Sequence, residues 1–112
     1  MQKYRIFKKA ASITDSPEVQ TEMWFLSAYH LIEACAAKAR AHIQKHQKVP
    51  DELARNPSIL GSKTSEVAEA FIYLDNQARA KFVYGDSGSD KDLEKARRSF
   101  ETIETACLEV LG

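Results

Sequence analysis

From Leu93 onward, apolar side chains recur at alternating intervals of three and four residues: Leu93, Ala96, Phe100, Ile103, Cys107 and Val110. That spacing keeps one narrow face of a helix apolar, and such a seam is stable only against other helices. Ser89 stands just ahead of the run with Asp92 three residues on, a capping box in which Asp replaces the longer Glu. The outer face carries Glu94–Arg98 and Arg97–Glu101 at i,i+4, pairs worth about 0.2–0.5 kcal/mol each when exposed. A chain with this helix must supply further apolar helices to cover it.

The second strong helix signal is Ser16-Pro17-Glu18: a hydroxyl cap, a proline whose missing N–H costs nothing at this position, and an acid favoured by the positive helix end. The spacing predicts a helix from there to about Lys48, where Val49-Pro50 interrupts it. Trp24, Ala28, Leu31, Cys35, Ala39, His42 and His46 then share one stripe, with Phe25, Tyr29, Ile32, Ala36 and Ile43 beside it. Around "LIEACAAKA" the helix is apolar on more than one side, so it belongs at the centre of a bundle or at a subunit interface, and both are expected.

Pro50-Asp51-Glu52 begins a short helix, because Asn56-Pro57 and Gly61 follow closely and break the pattern. A further helix starts around Thr64-Ser65-Glu66, with Val67, Phe71, Leu74, Ala78 and Phe82 facing inward until Gly85 stops it. Asp86-Ser87-Gly88 is expected to turn the chain into the final helix, and Tyr4, Phe7 and Ala11 suit a short packing helix at the start. No stretch alternates with the period of a strand. The expected fold is all-α: one domain, residues 1–112, formed as a mainly antiparallel bundle of about four helices with a short N-terminal helix.

With 112 residues, 44% hydrophobic and 29% charged, the chain can bury one core without obligatory disulfides or metals. Its net charge is zero, with +4 over residues 1–50 and −4 over residues 51–112, which argues against strong sequence-independent DNA binding. The basic residues Lys3, Arg5, Lys8 and Lys9 read as a solvated patch. Cys35 and Cys107 lie on core-facing stripes without Cys-x-x-Cys spacing and read as buried thiols of a reducing compartment. No signal-peptide core and no membrane span are present, so a cytoplasmic location without membrane contact is expected, and no cofactor is called for.

Few residues suggest chemistry. On a continuous helix His42 and His46, spaced i,i+4, would share a face and could hold a metal, although the intervening Ile43-Gln44-Lys45 lacks the glutamate of metalloprotease motifs. Arg40 and His46 offer a cation and a proton carrier for phosphodiester chemistry, but six helical residues separate them by about 120°. Glu33 in the apolar centre of the long helix demands a cation such as Arg79 or Arg40, or a proton. Arg79 has Asp75 at i−4 as a structural partner, and with Tyr84 it offers a donor fork and a stacking face for a phosphate or nucleotide.

The order "FLSAYHLIEACAAKA", an intermediate loop, then "LDNQARAKFVYGDSGSDKDLEKARRSFETIE" resembles the HEPN superfamily of small prokaryotic helical bundles, over roughly residues 20–108. The resemblance implies a homodimer. In active members it implies a metal-independent ribonuclease with an arginine followed by a histidine after four to six residues, often in toxin–antitoxin or defence systems. Carried over by position, the arginine is Arg79, but Ala80 through Gly85 supply no histidine. Many relatives without that histidine are non-catalytic binding or accessory modules, and the expected partners are a second copy, RNA, a nucleotide or another protein. The alternatives left open are a toxin-like ribonuclease that pairs Arg79 with a histidine from elsewhere, such as His46, and a metal- or small-molecule-binding bundle.

Overall fold

The computed structural model describes residues 1–85 and 87–112 and is helical throughout its regular elements. Asp86, the first residue of the expected turn, lies outside the described residues. Helix α1 spans Gln2–Ser12 and buries Tyr4 and Ala11. Helix α2 spans Pro17–Lys38, opened by Ser16, whose hydroxyl accepts the Val19 N–H at 3.2 Å.

The expected extension of α2 to Lys48 is corrected: the helix stops ten residues earlier. The Ala41 N–H donates to Ala36 O at 2.8 Å and the Arg40 N–H to Ala37 O at 3.0 Å, with Arg40 at φ +60°. This is a Schellman stop, whose left-handed position usually holds glycine. An arginine there hides the signal from sequence reading. Pro50, taken as the end of the long helix, instead lies in the first turn of α3, Val49–Arg55, where its missing N–H does no harm. Because Arg40 carries the steric cost of a Cβ in the left-handed region, Arg40→Gly is expected to stabilise the fold by about 1 kcal/mol, read as a higher denaturant midpoint at unchanged m-value.

Within α2, Leu31, Ile32, Cys35 and Ala36 are buried. The helix lies between α1 and α6, the latter spanning Asp90–Leu111. Ser27 donates its hydroxyl to Tyr4 O at 2.8 Å on one side, and Cys35 Sγ lies 3.6 Å from Cys107 O on the other. Much of the two-sided apolarity that suggested a subunit interface is therefore consumed inside the chain. Contact with Cys35 and burial push the Cys107 thiol well above its ordinary pKa, which leaves it inert as a nucleophile.

After a 3-10 turn at Gly61–Lys63, helix α4 covers Thr64–Ile72, continues through a π-helical stretch Tyr73–Ala78, and runs on as α5, Arg79–Phe82. These form one continuous rod, since the backbone stays helical at both junctions. Val67, Phe71, Leu74 and Ala78 are buried as the spacing predicts, and Phe82 packs over Gly88, where no side chain could be added without displacing its ring. In α6 the expected seam buries Ala96, Phe100, Ile103 and Cys107, joined by Ala106.

The capping box of α6 forms as expected: the Ser89 hydroxyl accepts the Asp92 N–H at 3.2 Å, and Asp92 Oδ2 accepts the Ser89 N–H at 3.0 Å. Lys81 Nζ adds an ion pair to Asp92 at 3.0 Å, tying α5 to α6 across the loop. The Ser89 backbone donor, then Lys81 and the Ser89 hydroxyl, hold the Asp92 carboxyl down at about 2. A depressed carboxyl pKa stabilises above the ordinary range near 4, and its contribution disappears as pH falls through the folded value. The first turn of α6 is thus expected to loosen between about pH 4 and pH 2, seen as shifts of the Ser89 and Asp92 amide resonances. Asp92→Asn should abolish that titration.

Candidate functional site

The site forms where α2, the π stretch and the loop before α3 meet. The π turn places the Arg79 N–H on Leu74 O, five residues back, and Arg79 itself opens α5. Its Nε donates to Glu22 Oε1 at 2.8 Å and its Nη1 to Asp75 Oδ1 at 2.9 Å, while Nη2 reaches Tyr84 Oη at 3.1 Å and Glu22 Oε2 at 3.4 Å. The guanidinium carbon lies 4.1 Å from the centre of the Phe25 ring and 5.5 Å from that of Tyr84. All three side chains of the ion cluster are largely shielded, with Arg79 15%, Asp75 13% and Glu22 22% exposed.

Burial works against the arginine charge, but the hydrogen bonds it donates to Glu22 and Asp75, with the Glu22 charge, outweigh that and raise its pKa above the ordinary value. The guanidinium is a fixed cation facing two carboxylates, so the immediate cluster carries a net negative charge when His46 is neutral. An incoming phosphate would meet that charge and would have to displace a bidentate partner.

His46 reaches the same cluster from the 3-10 turn His46–Lys48. Its Nδ1 lies 3.2 Å from Asp75 Oδ2, and its ring stands edge-on to Phe25 at 5.1 Å and to Tyr29 at 6.4 Å. Asp75 thus bridges an imidazole and a guanidinium, one oxygen to each. A carboxylate on one ring nitrogen orients the imidazole and leaves the other for proton transfer. Tyr84 is 73% exposed, so one tethered aromatic ring presents its surface to solvent at the edge of the cluster.

The other residues singled out from the sequence do not join this group. The expected pairing of Glu33 with Arg79 or Arg40 is corrected: His30, three residues back on α2, meets Glu33 at 2.6 Å, and Arg79 is held by Glu22 and Asp75. The imidazole of His30 stacks on Phe7 at 5.6 Å. His30, Glu33, His42 and Lys3 line an open cavity of about 400 Å³ floored by Ala34, Ala37 and Ala41. Arg40 is exposed at its left-handed turn and enters no ion pair among the described residues.

The shared-face premise for a metal on His42 and His46 is corrected, because α2 has ended before either residue: His42 faces the 400 Å³ cavity and His46 faces Asp75. Among the described residues no three His, Cys, Asp or Glu side chains are grouped to hold a metal ion. No helix there is long and apolar enough to cross a membrane.

Sequence reading found Arg79, Asp75 and Tyr84 but missed Glu22, which lies 57 residues away along the chain and carries no local signal. It also missed the His30–Glu33 pair, which the i,i+3 spacing on one helix could have signalled. Comparison with family models, with curated proteins and with solved structures finds no match for this chain.

Proposed function

We propose that this chain is a non-catalytic, HEPN-like accessory module that acts as a homodimer and binds a single-stranded RNA or nucleotide partner through the Tyr84 face. The observation that carries the non-catalytic part is the engagement of Arg79 with Glu22, Asp75 and Tyr84. A catalytic arginine must turn its donors to a transferring phosphate, and here two carboxylates already hold them. Exposed Tyr84, steadied by Arg79, supplies a surface on which a base can stack, a contact worth about 1–3 kcal/mol. Such a module belongs with the mainly antiparallel arrangement of about four helices, supported by the pairings Ser27–Tyr4, Glu22–Arg79 and Tyr73–Asp92.

Anisotropy of a labelled single-stranded RNA tests the binding. The wild type is expected to bind, and Tyr84→Ala to lose at least about tenfold in affinity with an unchanged circular dichroism spectrum. Equal affinity for the two proteins would reject the Tyr84 face.

One observation favours a second reading, a metal-independent ribonuclease of toxin-like type: Asp75 joins His46 to Arg79, bringing together the imidazole and cation that the sequence separates. In that reading His46 moves the proton and Arg79 stabilises phosphate charge. It requires RNA cleavage in the presence of chelator, lost in His46→Ala.

A further inference from the structure

We propose that the face between the α4–π rod and α6 is where two copies of this chain meet, around a two-fold axis running along the groove. The inference rests on the homodimer reading and supplies its surface. The groove is open, with a volume of about 680 Å³, and Ala70, Tyr73, Ser99 and Thr102 contribute to its lining. Ile72 stands at its edge, 37% exposed.

The two rims carry opposite charge. Glu66 and Glu69 line the α4 side and Lys95 and Arg98 the α6 side. Neither glutamate forms an ion pair among the described residues. Lys95 Nζ rests 4.4 Å from the centre of the Tyr73 ring, and Arg98 approaches Glu94 only to 3.8 Å. Arg97 on the same helix is engaged more closely, reaching Glu101 at 2.8 Å. The charges bordering the groove are therefore largely unspent.

A two-fold axis parallel to the groove lays the α4 rim of one copy over the α6 rim of the other, twice. The acidic rim of each copy then faces the basic rim of the other, while Ile72 and Ala70 are covered. An axis across the groove would instead set acid on acid and base on base, so the charge pattern selects one register. The molecule measures 38 × 24 × 22 Å, and a side of that size accommodates the about 800 Å² per partner of a standard interface. The α2 surface is less open to this role, since Leu31, Ile32, Cys35 and Ala36 at its apolar centre are already buried within the chain.

Sedimentation velocity on charge-reversed variants tests the surface. Wild type is expected to dimerise at micromolar concentration. E66K/E69K makes both rims basic and K95E/R98E makes both acidic, so each alone should be monomeric, with a dimer Kd raised at least about 100-fold. Mixing the two should restore a dimer, now a heterodimer, and the quadruple variant should restore the homodimer. All four positions lie on exposed rims, and circular dichroism checks that the variants fold. A monomeric wild type would overturn both this surface and the homodimer reading. A dimeric wild type whose variants also dimerise alone would overturn the surface and leave the homodimer reading standing.

Discussion

Arg79→Ala is expected to lower the unfolding free energy by about 2–4 kcal/mol and the melting temperature by about 10 °C. The cause lies in what the substitution leaves behind. Glu22 and Asp75, each mostly shielded, would face one another across a gap without the cation that holds them. Breaking a shielded ion pair from one side costs more than the pair contributes, because the remaining charge keeps its desolvation penalty. The triple variant E22Q/D75N/R79M should accordingly recover much of the loss, whereas Arg79→Lys should recover only part, a point charge being unable to address both carboxylates with a planar fork. Thermal melts of the three proteins distinguish a structural tie from a group held in reserve for a ligand. If Arg79→Ala melts with the wild type, the tie is not structural.

Phe25→Ala is expected to cost about 3–5 kcal/mol. The ring is 2% exposed, packs against Phe71 at 5.4 Å, lies under the Arg79 guanidinium and meets the edge of His46. Its removal opens a core cavity and at the same time withdraws the floor of the polar cluster. Phe25→Leu should cost less than Phe25→Ala, since it fills most of the volume while losing the cation–π and edge contacts. Chemical denaturation gives the energies, and the His46 ring resonances should shift in both variants. A His46 environment unchanged in Phe25→Leu would show that the ring does not set the histidine's position.

The parts of the fold legible in the sequence were those with a local cause. The seam of α6, its Ser89–Asp92 box, the Ser16-Pro17 start of α2 and the inward row Val67, Phe71, Leu74 and Ala78 all follow from spacing and caps, which act within a few residues. The end of α2 was not legible because Arg40 occupies a position where glycine is the usual marker, and helical spacing carries on through His42 and His46 without the backbone following it. That single misplaced boundary also produced the metal hypothesis. The π stretch was equally hidden, since it adds one residue to a turn without any glycine or proline to announce it.

For the candidate site, the Asp75–Arg79 pair was predicted from i,i+4 spacing and is present at 2.9 Å. Glu22 and His46 enter from elements distant along the chain, and only the packing of α2 against the rod and the return of the loop before α3 bring them in. The same packing changed the meaning of Arg79. A lone arginine near a helix end suggests phosphate; one held between two carboxylates, an aromatic face and a tyrosine hydroxyl is part of the scaffold that steadies Tyr84.

The most direct measurement is a time course of single-stranded RNA with the wild-type protein in excess chelator, resolved on a denaturing gel beside an anisotropy reading of the same mixture. Binding without cleavage predicts RNA that stays full length while its anisotropy rises. Cleavage products that accumulate with the wild type and vanish with both His46→Ala and Arg79→Ala would contradict it.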